Sequence, residues 1–279
     1  MNIFKFSGDL QTYLHNPEIH GKTLGFIPTM GALHPGHLQL IKRSQELCQN
    51  TIASIFINPT QFNNHDDFLN YPVTLENDVY ALEKIDLDIL FLPDSTQIYD
   101  NANPPIKYDL GYIEHILEGK YRPGHFQGVC QVVDRLMNVI KPTHLFLGQK
   151  DFQQCMIIEK MISAKGYNTQ IVICPTIREE DGLAMSSRNL RLSDDEKKIA
   201  SEVYTCLKNL KENKNNDQLH LLVIKANKHL TAQGFRIDYL GIYDQNTLLP
   251  VEKISEDQLL VALFAGYLGE IRLIDNMVF

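Results

Sequence analysis

Five short apolar runs, each closed by a polar loop and followed by a helix-length stretch, limit what this chain can fold into. Leu24, Phe26 and Ile27 form the first, and residues 51–58, 89–93, 144–147 and 171–174 form the others. Between them apolar residues recur at helical spacing: Leu38, Ile41 and Leu47, then Leu75, Val79 and Leu82, then Val129, Val132, Val133, Leu136 and Val139, then Met156, Ile157 and Met161. A strand period that repeatedly gives way to a helix period predicts a parallel sheet with right-handed crossovers. In the first unit Pro28 has no N–H for a ladder and is expected to end the strand. From about residue 180 the pattern changes. Ser193-Asp194-Asp195-Glu196 reads as a helix start with acidic residues on the dipole, two helices are expected around a 211–217 linker, and strand-like segments follow near 236–244, 258–265 and 270–278, with Ala265 to Gly269 as a turn. The fold class is therefore α/β: a parallel-sheet domain over residues 1–178, then a smaller α+β domain with an antiparallel sheet over 179–279.

The bulk numbers narrow the function. A length of 279 residues, 44% hydrophobic and 22% charged, is ordinary globular composition, and a formal charge of −8 disfavours a nucleic-acid partner held by phosphate contacts. A small ligand is the better expectation. Residues 1–9 lack a signal-peptide pattern, and no apolar run reaches membrane-spanning length. Cysteines 48, 130, 155, 174 and 206 are odd in number and lack a C-x-x-C pair, which fits reduced thiols in the cytosol.

Chemistry concentrates in Phe26-Ile27-Pro28-Thr29-Met30-Gly31-Ala32-Leu33-His34-Pro35-Gly36-His37-Leu38. This is a strand-to-helix loop, where unpaired N–H groups and the helix dipole favour phosphate. His34 and His37 lie one turn apart there, each able to donate a hydrogen bond or move a proton. A merely capped helix with incidental histidines is the plain alternative, and zinc a third, although no Cys, Asp or Glu in the same turn completes a tetrahedral set. Asn58 and Gln61, Gln149 to Asp151, and Arg178 likewise follow the carboxyl ends of strands, where open α/β sheets bind ligands. Residues 118–125 read as an exposed loop carrying Arg122 and His125. No G-x-G-x-x-G follows a strand, and Gly21-Lys22-Thr23 lacks the upstream glycine of a P-loop. What remains is a nucleotide site of His34, His37, Lys150 and Arg188, suited to adenylyl or nucleotidyl transfer, with Gln61 and Gln154 able to hold an attacking carboxylate.

At this level H-x-G-H with the later Met185-Ser186-Ser187-Arg188 resembles the class I nucleotidyltransferase superfamily. More closely, Pro28 to His37, Asn58-Pro59-Thr60-Gln61-Phe62, Arg122-Pro123-Gly124-His125-Phe126, Gly148-Gln149-Lys150-Asp151-Phe152-Gln153-Gln154 and Asp181 to Asn189 resemble, in order, the blocks of the pantothenate synthetase (pantoate–β-alanine ligase) family. The resemblance implies a Rossmann-like first domain, a smaller lid domain, a cytoplasmic homodimer, ATP with Mg²⁺, and the small-molecule substrates pantoate and β-alanine joined through a pantoyl adenylate. It implies that Met30, Gly31, Ala32, Leu33, His34, Pro35, Gly36 and His37 hold ATP, together with Gly148, Gln149, Lys150, Asp151, Ile177, Met185, Ser186, Ser187 and Arg188. His37, as proton donor, with His34, Lys150 and Arg188 would be catalytic, and Gln61 and Gln154 would bind pantoate. Asn58, Arg122 and Asp78 complete the expectation, Asp78 on the magnesium side, while Mg²⁺ itself is carried by the ATP phosphates. Gln149 departs from the family's more usual Glu, which puts any role of charge there in doubt. The rivals are another nucleotidyltransferase such as a cytidylyltransferase, a tRNA synthetase, and a nucleotide sensor without turnover.

Overall fold

A computed structural model of the chain describes residues 1–63, 65–99, 106–214, 218–251 and 257–279. Among them, strands β1 (Asn2–Phe4), β2 (Leu24–Thr29), β3 (Asn50–Ile55), β4 (Ile89–Phe91), β5 (His144–Gly148) and β6 (Gln170–Cys174) form an all-parallel sheet in the order β1-β4-β3-β2-β5-β6. Helices α1 (Ser7–Leu14), α2 (Pro35–Leu47), α3 (His65–Leu69), α4 (Leu75–Lys84), α5 (Ser95–Ile98), α6 (Glu118–Tyr121), α7 (His125–Ile140) and α8 (Phe152–Lys165) lie in the connections. Side chains alternate between two cores. Phe26, Ile52, Ile89 and Leu145 enter one with α7 and α8, while Ile27, Ala53, Leu90 and Phe146 enter the other with α2. A sheet covered on both faces favours apolar residues on either side of its strands, which is why they read as near-continuous runs. Strand β1 was not expected, because Asn2 and Ile3 are exposed at the sheet edge. Leu47, counted into the α2 stripe, is exposed at the helix end.

Pro28 does not end the first strand. Pairing of β2 with β3 runs from Leu24↔Asn50 to Thr29↔Ile55, whereas pairing with β5 is confined to Gly25↔His144 and Phe26↔Leu145. Backbone groups alternate sides along a strand. Leu24 O accepts from Thr143 N toward β5, and Thr29 O accepts from Phe56 N toward β3, so Pro28, an even position like Leu24, faces β5. Its missing donor therefore ends pairing with one neighbour and spares the other. The strand order also diverges between β2 and β5, and a crevice opens at their carboxyl ends.

The second unit has helices α9 (Asp194–Glu212) and α10 (Leu219–Ala232) against the antiparallel strands β7 (Phe235–Asp244), β8 (Leu260–Leu268) and β9 (Ile271–Val278). Ser193 and Glu196 cap α9 reciprocally, as their spacing predicts. The anticipated turn is shorter than residues 265–269: β8 pairs with β9 to Leu268↔Ile271. Residues 215–217 of the anticipated linker lie outside the described residues. The two units share apolar surface, since Val261 and Leu263 of β8 pack into the core of the first sheet while Ala262 and Phe264 pack with Val203 and Leu207 of α9. No helix among the described residues is long and apolar enough to cross a membrane.

Candidate active site

The loop after β2 is more completely bonded than its sequence suggests. Asp78, at the start of α4, accepts from Ala32 N at 2.9 Å and Leu33 N at 2.8 Å, and also from Thr74 Oγ1 at 3.1 Å. Gly31 is at φ 81°, and a Cβ there would stand 3.1 Å from the Asp78 carboxylate, so glycine lets the two approach. Asp78 thus stands behind the loop and shapes it, and it does not line the described crevice. His34 is the N-cap of α2: its Nδ1 accepts from Gly36 N at 3.2 Å, and His37 Nδ1 accepts from His34 N at 3.4 Å. The amides expected to lie open are partnered within the loop.

This arrangement fixes the chemistry of both rings. A neutral imidazole that accepts at Nδ1 carries its proton on Nε2 and is a donor there. Burial, the neighbouring His37 and the charge of Lys150 push His34 down to about 2, and burial with Lys150 pushes His37 down to about 4. Both are therefore neutral hydrogen-bond donors near pH 7, with ring centroids 4.0 Å apart.

A crevice with a volume of about 230 Å³ lies at these strand ends and opens to solvent. Of the residues singled out in the sequence it collects Met30, His34, Gly36, His37, Asn58, Gln61, Gly148, Lys150, Asp151, Gln154, Ile177, Met185, Ser186, Ser187 and Arg188. Gly31, Ala32, Leu33, Pro35 and Gln149 are not among the residues that line it. Gln149 Nε2 donates to Asn276 Oδ1 at 3.2 Å, and Asn276 Nδ2 donates back to the carbonyls of Gln149 and Lys150 at 2.9 Å each. The Gln149 amide therefore ties the first sheet to β9. Arg122 lines the adjoining space between the two units, with Lys150, Asp151, Arg188 and Arg272.

Gln61 is placed by several contacts, among them Arg122 Nη2 donating to its carbonyl at 3.4 Å. Asn58 Nδ2 donates to Gln61 Oε1 at 3.2 Å and to Gly128 O at 3.1 Å, His125 Nδ1 donates to Gln61 O at 2.8 Å, and Gln61 Nε2 meets Met30 Sδ at 2.7 Å. Nearby, Glu118 accepts from both Arg272 nitrogens at 2.7 and 2.8 Å and from Tyr239 Oη at 2.7 Å. Burial opposes ionisation of Glu118, but Arg272, then Arg122 and Tyr239, outweigh it and bring its carboxyl down to about 2. Sequence reading missed Tyr71 and Asp67. Tyr71 lines the crevice with its ring 5.6 Å from the Arg188 guanidinium, and Asp67 pairs with Arg188 at 2.7 Å.

The pantoate-beta-alanine ligase family model matches residues 2–278. The chain belongs to the pantoate–β-alanine ligase family. It is thus a ligase by family, similar to the pantothenate synthetase of Azobacteroides pseudotrichonymphae, at 41% identity over 283 aligned positions covering 100% of both chains. It is also similar to that of Cytophaga hutchinsonii, at 39% identity covering 96% of each. Among solved structures, pantothenate synthetase from Thermus thermophilus superposes with a TM-score of 0.90 at 35% identity, covering 99% of each chain. The pantoate-beta-alanine ligase of Francisella tularensis, complexed with beta-gamma ATP and beta-alanine, superposes with a TM-score of 0.81 at 37% identity, covering 100% of this chain and 97% of that one. The ligase family's parallel sheet with a smaller antiparallel unit is the architecture described above.

Proposed function

We propose that this ligase condenses pantoate with β-alanine in two steps, at the expense of ATP. A pantoate carboxylate oxygen attacks the α-phosphorus, pyrophosphate leaves, and pantoyl adenylate forms. The β-alanine amine then attacks the acyl carbon and AMP departs with the electron pair of the broken C–O bond. The observation that carries this reading is that His34, His37, Gln61, Lys150, Gln154 and Arg188 line one crevice. In it the neutral imidazoles donate from Nε2 to phosphate oxygens, Lys150 and Arg188 offset the charge that develops on the departing pyrophosphate, and the Gln61 and Gln154 amides orient the hydroxy acid. Gly148, Ile177, Met185, Ser186 and Ser187 wall the nucleotide, and Arg122 stands toward the phosphates.

For Mg²⁺ the donor set decides the manner of binding. Among the described residues no group of three or more His, Cys, Asp or Glu side chains could hold a metal, and Asp78 is engaged by the loop amides. Asp151 is the carboxylate among the crevice-lining residues. That set fits an ion carried by the triphosphate with Asp151 facing it, since Mg²⁺ readily keeps water and phosphate ligands. When bound it supplies charge neutralisation to the phosphates. We assign residues 1–178 to substrate binding and 179–279 to a lid that shields the hydrolysable adenylate from water. The same reading carries a cytosolic homodimer. Its supports are five free, buried cysteines and the edge strand β6, whose Ile173 is exposed. ATP–pyrophosphate exchange that requires pantoate and proceeds without β-alanine is the expected result. Its absence from folded protein overturns the adenylate route.

A further inference from the structure

Arg188, which the proposed function assigns to the ATP phosphates, already grips an anion of the protein's own. Its Nε donates to Asp67 Oδ1 at 3.2 Å and its Nη2 to Asp67 Oδ2 at 2.7 Å, the paired geometry by which a guanidinium also takes a phosphate. Asp67 sits on the short helix α3 and lines the cavity between the two units beside Arg122 and Lys150. It has a second partner: Arg191 Nη1 donates to the same Oδ1 at 3.2 Å. Burial would raise the Asp67 carboxyl, but its bonds and charge contacts to Arg188, Arg122 and Arg191 hold it below the usual carboxylate range, so it is ionised near pH 7. The Tyr71 ring flanks the Arg188 guanidinium and keeps that group in place whichever anion it holds.

We propose that Asp67 is a positioning and specificity residue for the nucleotide, occupying the phosphate-binding edge of Arg188 until a polyphosphate displaces it onto Arg191. Two anions on one pair of N–H groups repel each other, so an incoming ligand gains Arg188 only by outcompeting a carboxylate. A triphosphate does so with charge shared across Lys150 and the Nε2 donors of His34 and His37, whereas a lone phosphate or a small carboxylate brings too little. Arg191 makes the exchange feasible, because the displaced carboxylate keeps a cationic partner instead of being left unpaired in a half-buried position. The inference rests on the assignment of Arg188 to ATP.

The test is the KM for ATP, read from pyrophosphate release at saturating pantoate and β-alanine, with ATP affinity read by calorimetry in parallel. Asp67→Asn, which keeps shape and removes charge, is expected to lower the ATP KM by about two- to fivefold, the upper span of a half-exposed ion pair, and to let inorganic phosphate compete better against ATP. Arg191→Ala is expected to raise the ATP KM by a similar factor, because Asp67 then binds Arg188 alone. Opposite signs are the signature, since a purely structural role would shift both variants the same way. An unchanged or raised KM in Asp67→Asn overturns the exchange, as does a lowered or unchanged KM in Arg191→Ala, which is decisive if Asp67→Asn does not fold. Arg188→Ala separates the two readings. If it weakens ATP while the signs above fail, the proposed function stands without the exchange, and if it leaves ATP binding intact, both fall.

Discussion

Substitution of a glycine outside the crevice lining tests how tightly the end of the crevice proposed for pantoate is set. Gly128 lies in α7 with its face against the turn that carries Gln61. A Cβ built there would stand 2.4 Å from Thr60 O, 2.7 Å from Thr60 C and 3.0 Å from Gln61 Cα. Ordinary contact begins at 3.4 Å, so the turn must retreat by about 1 Å from the closest of these atoms. All three are backbone atoms and cannot rotate aside. The turn is also clamped at both ends, by Asn58 Nδ2 on Gly128 O and by His125 on Gln61 O. A displacement of about 1 Å at a positioning group can cost about 10²-fold, so Gly128→Ala should lower kcat/KM for pantoate by about two orders of magnitude. Helix propensity alone would stabilise this change by about 1 kcal/mol, which makes any loss attributable to the clash. The assay is ATP–pyrophosphate exchange across a pantoate titration, with calorimetry of ATP alone as its companion, because His34, His37 and Lys150 lie off the turn. A pantoate dependence like that of the parent would refute the reasoning, and so would an equal loss of ATP affinity.

Other predictions concern charge. Lys150→Ala should slow adenylate formation by about 10²; rapid-quench measurement of that step at a near-parent rate would mark the lysine as structural. His37 has its folded pKa depressed to about 4 from 6.5, so the folded state binds fewer protons than the unfolded chain across that interval. Stability is then complete above about 6.5 and is lost as pH falls toward 4, as urea titrations between pH 7 and 4.5 should show, with a flatter slope in His37→Asn. Glu118→Gln leaves Arg272 and Arg122 short of their shared buried carboxylate and should cost about 3–5 kcal/mol of unfolding free energy. Urea titration reads the loss, and a silent Glu118→Gln would show that the Glu118 ion pairs add nothing to the junction of the two units.

Residues differ in how much of their role shows in the sequence, and the reason is distance along the chain. That His34, His37, Gln61, Lys150 and Gln154 meet in one crevice was legible because each follows a strand that is mostly apolar. That pattern exists only in a sheet covered on both faces, and such a sheet gathers its loops at one end. Strand β1 escaped notice because an edge strand has little to bury. Asp67 and Tyr71 were invisible for another reason. Both act through Arg188, which stands 121 residues from Asp67, and no local pattern announces a partner so remote. Asp78 stands out in the sequence, yet it lies behind the loop and not on its ligand side, since a carboxylate that accepts backbone amides and one that faces a ligand look alike in sequence.

Pro28 has a consequence for binding itself. Because the parting of β2 from β5 follows from a covalent fact, the lack of one amide hydrogen, the mouth stands open whether or not anything occupies it. Ligands entering there have no strands to prise apart, and their contact energy remains available for their own alignment. A chain with an ordinary residue at this point could zip its two central strands further, and each ligand would then have to reverse that closure on arrival.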